Sequence, residues 1–113
     1  MALVADRRST ETAELRRLRR RIDALDKRIV AMLNERATLA REAGAAKATA
    51  GRRAIRDAER EREVLLRVSM ANEGPLPQAD LLALYRRLFT ATRALEARDR
   101  ERTARDGDDG TDR

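Results

Sequence analysis

The sequence predicts an all-α chain of three helices, the first much longer than the other two. Three observations carry that expectation. Apolar residues recur at alternating spacings of three and four, the mark of one helix face. No strand-like alternation and no internal repeat is present. Glycine and proline divide the chain into long segments: neither occurs from Met1 to Ala43, and Gly74-Pro75-Leu76-Pro77 forms a strong break.

The first helix is expected from about Thr10 to about Thr49, with Leu15, Leu18, Ile22, Leu25, Ile29, Met32, Leu39 and Ala43 on one line. At 1.5 Å per residue it would be roughly 60 Å long. A compact domain of this size has a radius of gyration near ~13 Å, so its own chain cannot wrap such a rod and a second subunit is the simplest cover. Thr49-Ala50-Gly51-Arg52-Arg53 reads as a turn. A second helix is expected from about Ile55 to Met70, apolar through Val64, Leu65, Leu66 and Val68, and stopped by Asn72 to Pro77. A third, from about Gln78 to about Arg100, carries Leu81, Leu84, Tyr85, Leu88, Thr92 and Leu95. This divides the chain into a flexible N-terminus at 1–9, a helical domain at 10–100 and a disordered charged tail at 101–113.

Composition narrows the chemistry. The 113 residues include no Cys, His or Trp and 2% aromatics, which excludes disulfides, zinc-finger spacing, a thiolate nucleophile and a Ser-His-Asp relay. Few rings also argue against single strands stacked on aromatic platforms. With 26 Lys+Arg against 20 Asp+Glu, the surface should attract anions: nucleic acid, an anionic membrane face or a small polyanionic metabolite. No stretch is apolar enough to span a bilayer. Met1-Ala2-Leu3-Val4 runs into Asp6-Arg7-Arg8 without an apolar signal segment, so the cytoplasm is the expected compartment.

Charged residues interrupt each apolar stripe. Arg36 falls on the seam between Met32 and Leu39, where a guanidinium must be paired or face a polar cavity. Lys47 lies about three turns on, with roughly 20° of angular drift. Apart from Lys27 it is the one lysine in an arginine-biased chain, which reads either as a chemical requirement or as a solvated charge near a helix end. Asp57, Arg60, Glu61 and Val64 share a face of the second helix, as a polar site patch or as a salt-bridged exposed start. Thr92 and Glu96 continue the line of Leu81, Tyr85 and Leu88. A buried Glu96 needs a partner or a proton; otherwise it lies in a fraying last turn. Such a set suits a small dianion carrying a hydroxyl. Arg19 belongs to the basic run Arg16-Arg17-Leu18-Arg19-Arg20-Arg21, about 25 Å along the helix from Arg36, so one small ligand meets both only if Arg19 comes from another chain.

The ordered series Leu18-Arg19, Ile22-Asp23-Ala24-Leu25-Asp26, Asn34-Glu35-Arg36, Gly44 with Ala46-Lys47, Ile55-Arg56-Asp57, Glu59-Arg60-Glu61, and Tyr85 through Glu96 resembles the all-helical chorismate mutases, the AroQ class, over about residues 15 to 97. The resemblance implies an intertwined homodimer in which each site borrows an arginine from the partner's long helix. It implies Arg19 as that borrowed arginine and Arg36 as the in-chain one, each on a substrate carboxylate, with Arg60 assisting. Asp57 and Glu61 would hold the ring hydroxyl, and Lys47 a carboxylate and the ether oxygen. Thr92 stands where the family often has Ser, and Glu96 where members have Gln or Glu.

The implied reaction is the concerted rearrangement of chorismate to prephenate, with no covalent intermediate, no cofactor and no metal. The protein would select the reactive conformer and stabilise negative charge developing on the ether oxygen. Glu96 donates a hydrogen bond only when protonated, so activity is expected to fall as pH rises through its pKa. The alternatives are a 4-amino-4-deoxychorismate mutase or an isochorismate pyruvate lyase of the same fold, a non-enzymatic basic dimer that binds nucleic acid through Arg16 to Arg21, and a pseudo-enzyme that regulates a partner. Retention of Asp57, Arg60 and Glu61 favours the ordinary mutase. An upstream pathway enzyme is a further partner that the resemblance suggests.

Overall fold

The structure is a computed structural model that describes residues 11–51 and 57–111. It contains three helices, α1 (Ala13–Thr49), α2 (Ala58–Ala71) and α3 (Gln78–Thr111). The expectations for 1–9, and for the first residues of the second helix at 55 and 56, lie outside the described residues. No described helix is long and apolar enough to cross a membrane. The chain divides into two units, Met1–Arg36 and Ala37–Arg113.

In the first unit α1 begins where Thr12 can cap it: its hydroxyl accepts the Leu15 N–H at 3.1 Å, satisfying one of the amides that a helix start leaves open. Arg19 donates to Glu11 at 3.0 Å, and Arg16 donates to the Glu11 carbonyl at 2.8 Å. The predicted apolar line is present, and Leu15, Leu18, Ile22, Leu25, Ile29 and Met32 are 38–55% exposed.

In the second unit the last turns of α1 end at Gly51, whose N–H donates to the Ala48 carbonyl at 3.1 Å. Its φ of 81° is one that side-chain-bearing residues rarely adopt. α2 starts at Ala58, where the Asp57 carboxylate serves as its cap and accepts the Arg60 N–H at 3.0 Å. At the other end the Asn72 N–H reaches the Val68 carbonyl at 3.0 Å, and its side chain bridges to the Leu76 carbonyl at 3.1 Å and the Gly74 N–H at 3.0 Å. The left-handed φ of Gly74, 79°, turns the chain towards α3.

α2 and α3 pack on each other. Val64, Leu65 and Val68 are half-buried on α2, as are Leu81, Tyr85 and Leu88 on α3. Phe89 is the one buried apolar residue among those described, at 7% exposure, with the Tyr85 ring edge-on at 6.3 Å. It was absent from the predicted stripe, whereas Leu84, which was included, is 57% exposed. α3 also continues past the expected end at Arg100 to Thr111, which corrects the expectation of a structureless segment over 101–111. No proline stops it, Glu101 and Arg105 stand one turn apart with favourable sign order, and Asp99 is anchored to α1, as described next.

Candidate active site

Within the second unit, the end of α1 runs antiparallel to the middle of α3. Two pairings fix the register. Arg41 lies against Asp99, and a Cβ added at Gly44 would stand 3.2 Å from Glu96 Cγ and 3.3 Å from its Cδ. The absent side chain of Gly44 is thus what allows the Glu96 stem to lie against the α1 backbone. A groove of about 300 Å³ follows, lined by Arg41, Gly44, Lys47, Glu96, Asp99 and Arg100 among others.

Lys47 is no solvated end charge. Its Nζ donates to Asp57 Oδ2 at 3.2 Å, with side chains 29% and 25% exposed. One Asp57 oxygen caps α2 and the other takes Lys47. Glu61 accepts from Arg93 on α3, and Arg93 also donates to Thr90 Oγ1 at 3.3 Å. The half-buried Thr92 hydroxyl donates to the Leu88 carbonyl at 2.8 Å and keeps its lone pairs available as acceptors. Arg60 projects to Glu63 at 3.1 Å and stays half-exposed.

Glu96 is half-buried in a helix that continues for several turns, which overturns the reading of a fraying end. Burial pushes its carboxyl above the ordinary carboxylate range, Lys47, Arg93 and Arg100 pull it down, and Asp99 pushes it up, with the net effect upward. The site therefore moves Glu96 toward the form that can donate a hydrogen bond, beside a lysine that donates to Asp57. Such a pair can stabilise negative charge developing on an ether or carbonyl oxygen.

Of the residues singled out in the sequence, the structure brings Lys47, Asp57 and Glu96 into one electrostatic cluster, with Glu61 joined to it through Arg93. Arg60 and Thr92 lie on the same helices but turn to Glu63 and to the α3 backbone. Arg19 and Arg36 belong to the first unit, where Arg19 pairs with Glu11 and Arg36 is half-buried. Sequence reasoning missed Arg93, Arg41 and Asp99. Phe89, Arg93, Glu96 and Arg100 recur at helical spacing, a signal that could have pointed to Arg93.

Known proteins share this arrangement of sequence and helices. The family model for chorismate mutase type II matches residues 18–97. The chain is 39% identical over 87 residues to a bifunctional chorismate mutase/prephenate dehydratase of Aquifex aeolicus (strain VF5), covering 74% of this chain and 24% of that protein. It is 35% identical over 91 residues to the protein of the same description from Stutzerimonas stutzeri, covering 77% and 25%. The chain thus spans about a quarter of the length of these curated relatives. Among solved structures, the chorismate mutase (form II) of Thermus thermophilus superposes with a TM-score of 0.71 at 30% identity, over 75% of this chain and 96% of that one. Matched over most of its helical length by sequence and by fold alike, the chain belongs to the type II chorismate mutase family.

Proposed function

We propose that this chain catalyses the rearrangement of chorismate to prephenate, as a homodimer with shared sites and in the cytoplasm. The observation that carries the reading is the cluster of Lys47, Asp57 and a Glu96 held toward its protonated form. Glu96 and Lys47 donate to the ether oxygen of the breaking bond, where negative charge grows in the transition state. Arg36 and Arg19 of a second copy take the two carboxylates, since planar guanidinium forks fix direction as well as charge, and Arg60 assists. Asp57 and Glu61 accept the ring hydroxyl with the lone pairs their cations leave over, and Thr92 contributes its hydroxyl at the same site. Catalysis then consists of selecting one conformer and meeting its developing charge, with no covalent step.

The dimer reading rests on the exposed apolar line from Leu15 to Met32. Exposed large apolar side chains in a continuous row are what a partner surface looks like, and covering each half-exposed one contributes about 1 kcal/mol. An upstream pathway enzyme is a second partner for the assembled dimer.

The test is loss of chorismate absorbance on adding the purified chain, with identification of the product. Prephenate supports the reading. Pyruvate release would assign a lyase instead, and turnover confined to the amino-substituted analogue would assign the corresponding mutase. DNA binding that weakens steeply with salt, without effect on chorismate, would assign the basic run to nucleic acid.

A further inference from the structure

The ion pair between Arg41 and Asp99 takes no part in the chemistry proposed above. Arg41 Nε and Nη2 donate to separate oxygens of Asp99, both at 2.8 Å. Asp99 falls two residues beyond the segment matched by the family model, which ends at 97. An exposed ion pair contributes little to stability, yet this one is bidentate, the geometry that fixes orientation. Its location gives that orientation a use. Asp99 is one helical turn beyond Glu96 on α3, and Arg41 is one turn before Gly44 on α1. The ion pair and the Gly44–Glu96 contact are adjacent rungs between the same two antiparallel helices.

We propose that Arg41 and Asp99 are positioning residues, a clasp that holds the Glu96 stem against Gly44 and sets the charge that its carboxyl faces. The consequence for turnover rests on the mutase reading; the consequence for the carboxyl itself does not. The charged groups facing Glu96 are Lys47 from α1 and Arg93, Asp99 and Arg100 from its own helix. From the side of α2, Asp57 engages Lys47 and Glu61 engages Arg93. Asp99 is the acidic member that raises Glu96, and Arg41 holds the Asp99 carboxyl below its usual range, keeping it an anion. By charge alone, losing the Asp99 anion lowers the Glu96 midpoint and losing the Arg41 cation raises it, so the two members of the clasp carry opposite signs in the test below.

That opposition separates this role from a merely structural one. In the full chain, Asp99→Asn removes an anion about one turn from Glu96 and leaves the Arg41 cation uncompensated. The Glu96 midpoint, followed by carboxyl carbon NMR, should fall by about half a pH unit or more. The high-pH limb of chorismate turnover should fall with it. Arg41→Gln leaves Asp99 unneutralised and should move both upward, whereas Arg41→Lys keeps the cation and should stay near the wild-type values. In a Glu96→Gln background the limb should no longer respond to either substitution. Loosening of the helices would instead admit water in both variants and lower the midpoint in both. Shifts of the same sign, or no shift in either, overturn the proposal. If the wild-type chain leaves chorismate unchanged, the proposed activity fails, and the NMR midpoints still decide the clasp.

Discussion

Gly44→Ala sets helix preference against the site. In a helix interior, alanine is more favourable than glycine by about 1 kcal/mol. The new Cβ would stand 3.2 Å from Glu96 Cγ and 3.3 Å from Cδ, inside the roughly 3.5–4.0 Å at which carbon atoms are best separated. Glu96 must give way by a few tenths of an ångström or leave its rotamer, at a cost of about 0.5–1.5 kcal/mol. The two effects nearly cancel, so the thermal midpoint should remain within about 5 °C of wild type. Turnover has no such compensation. A donor displaced by that distance from the ether oxygen should lower kcat about tenfold, given that a 1 Å misplacement costs on the order of 100-fold. Chorismate consumption and thermal melts on the same samples measure both. In a Glu96→Ala background the rate penalty of Gly44→Ala should vanish, and the helix gain should emerge as added stability. Turnover within twofold of wild type for the single substitution, or a penalty that survives removal of Glu96, would refute the reasoning.

Other expected outcomes can be measured alongside. Glu96→Gln should extend activity to higher pH: the raised Glu96 carboxyl donates only below its midpoint, so wild-type activity falls as pH rises through that value, whereas an amide donates throughout. A pH profile unchanged by the substitution would remove Glu96 from the mechanism. Lys47→Ala should lower turnover by 100-fold or more, about 3 kcal/mol of barrier, while circular dichroism and sedimentation still report a folded dimer. Arg19→Ala and Arg36→Ala chains should each be nearly inactive alone. Refolded together, they should recover about a quarter of the wild-type sites, because half of the dimers are mixed and each mixed dimer has one intact site. Recovery that stays at zero would mean the two arginines serve one site from the same chain.

What could be read from the sequence follows the range of the forces involved. The Leu15 to Met32 line is periodic within one helix, so α1 was legible: its end at Thr49 agrees with the expectation, and its start at Ala13 lies three residues beyond the expected Thr10. The start of the second helix was legible only roughly, because spacing and the helix dipole place Asp57 near a helix start without showing that its carboxylate is the cap. The α3 terminus was not, since its charges and Gly107 resemble a loop when read singly. The partner that anchors Asp99 is 58 residues away in sequence. Phe89 could not be ranked above Leu84 from spacing alone, because which side of α3 is covered depends on where α2 lies. Gly44 stood out as a mark of the family, but its physical purpose, making room for a carboxylate stem, requires α3 to be in place. Arg93 was hidden in a run of similar residues and becomes distinct only through Glu61 on another helix.

Asp57 carries a consequence for how this sequence can drift. Its two oxygens are divided between starting a helix and restraining a lysine. Serine, threonine or asparagine at this position would start α2 almost as well, and each would remove the carboxylate that Lys47 donates to. Descendants that had lost the chemistry could thus go on folding unimpaired. Shape alone would not reveal which of them still work, whereas a single codon would.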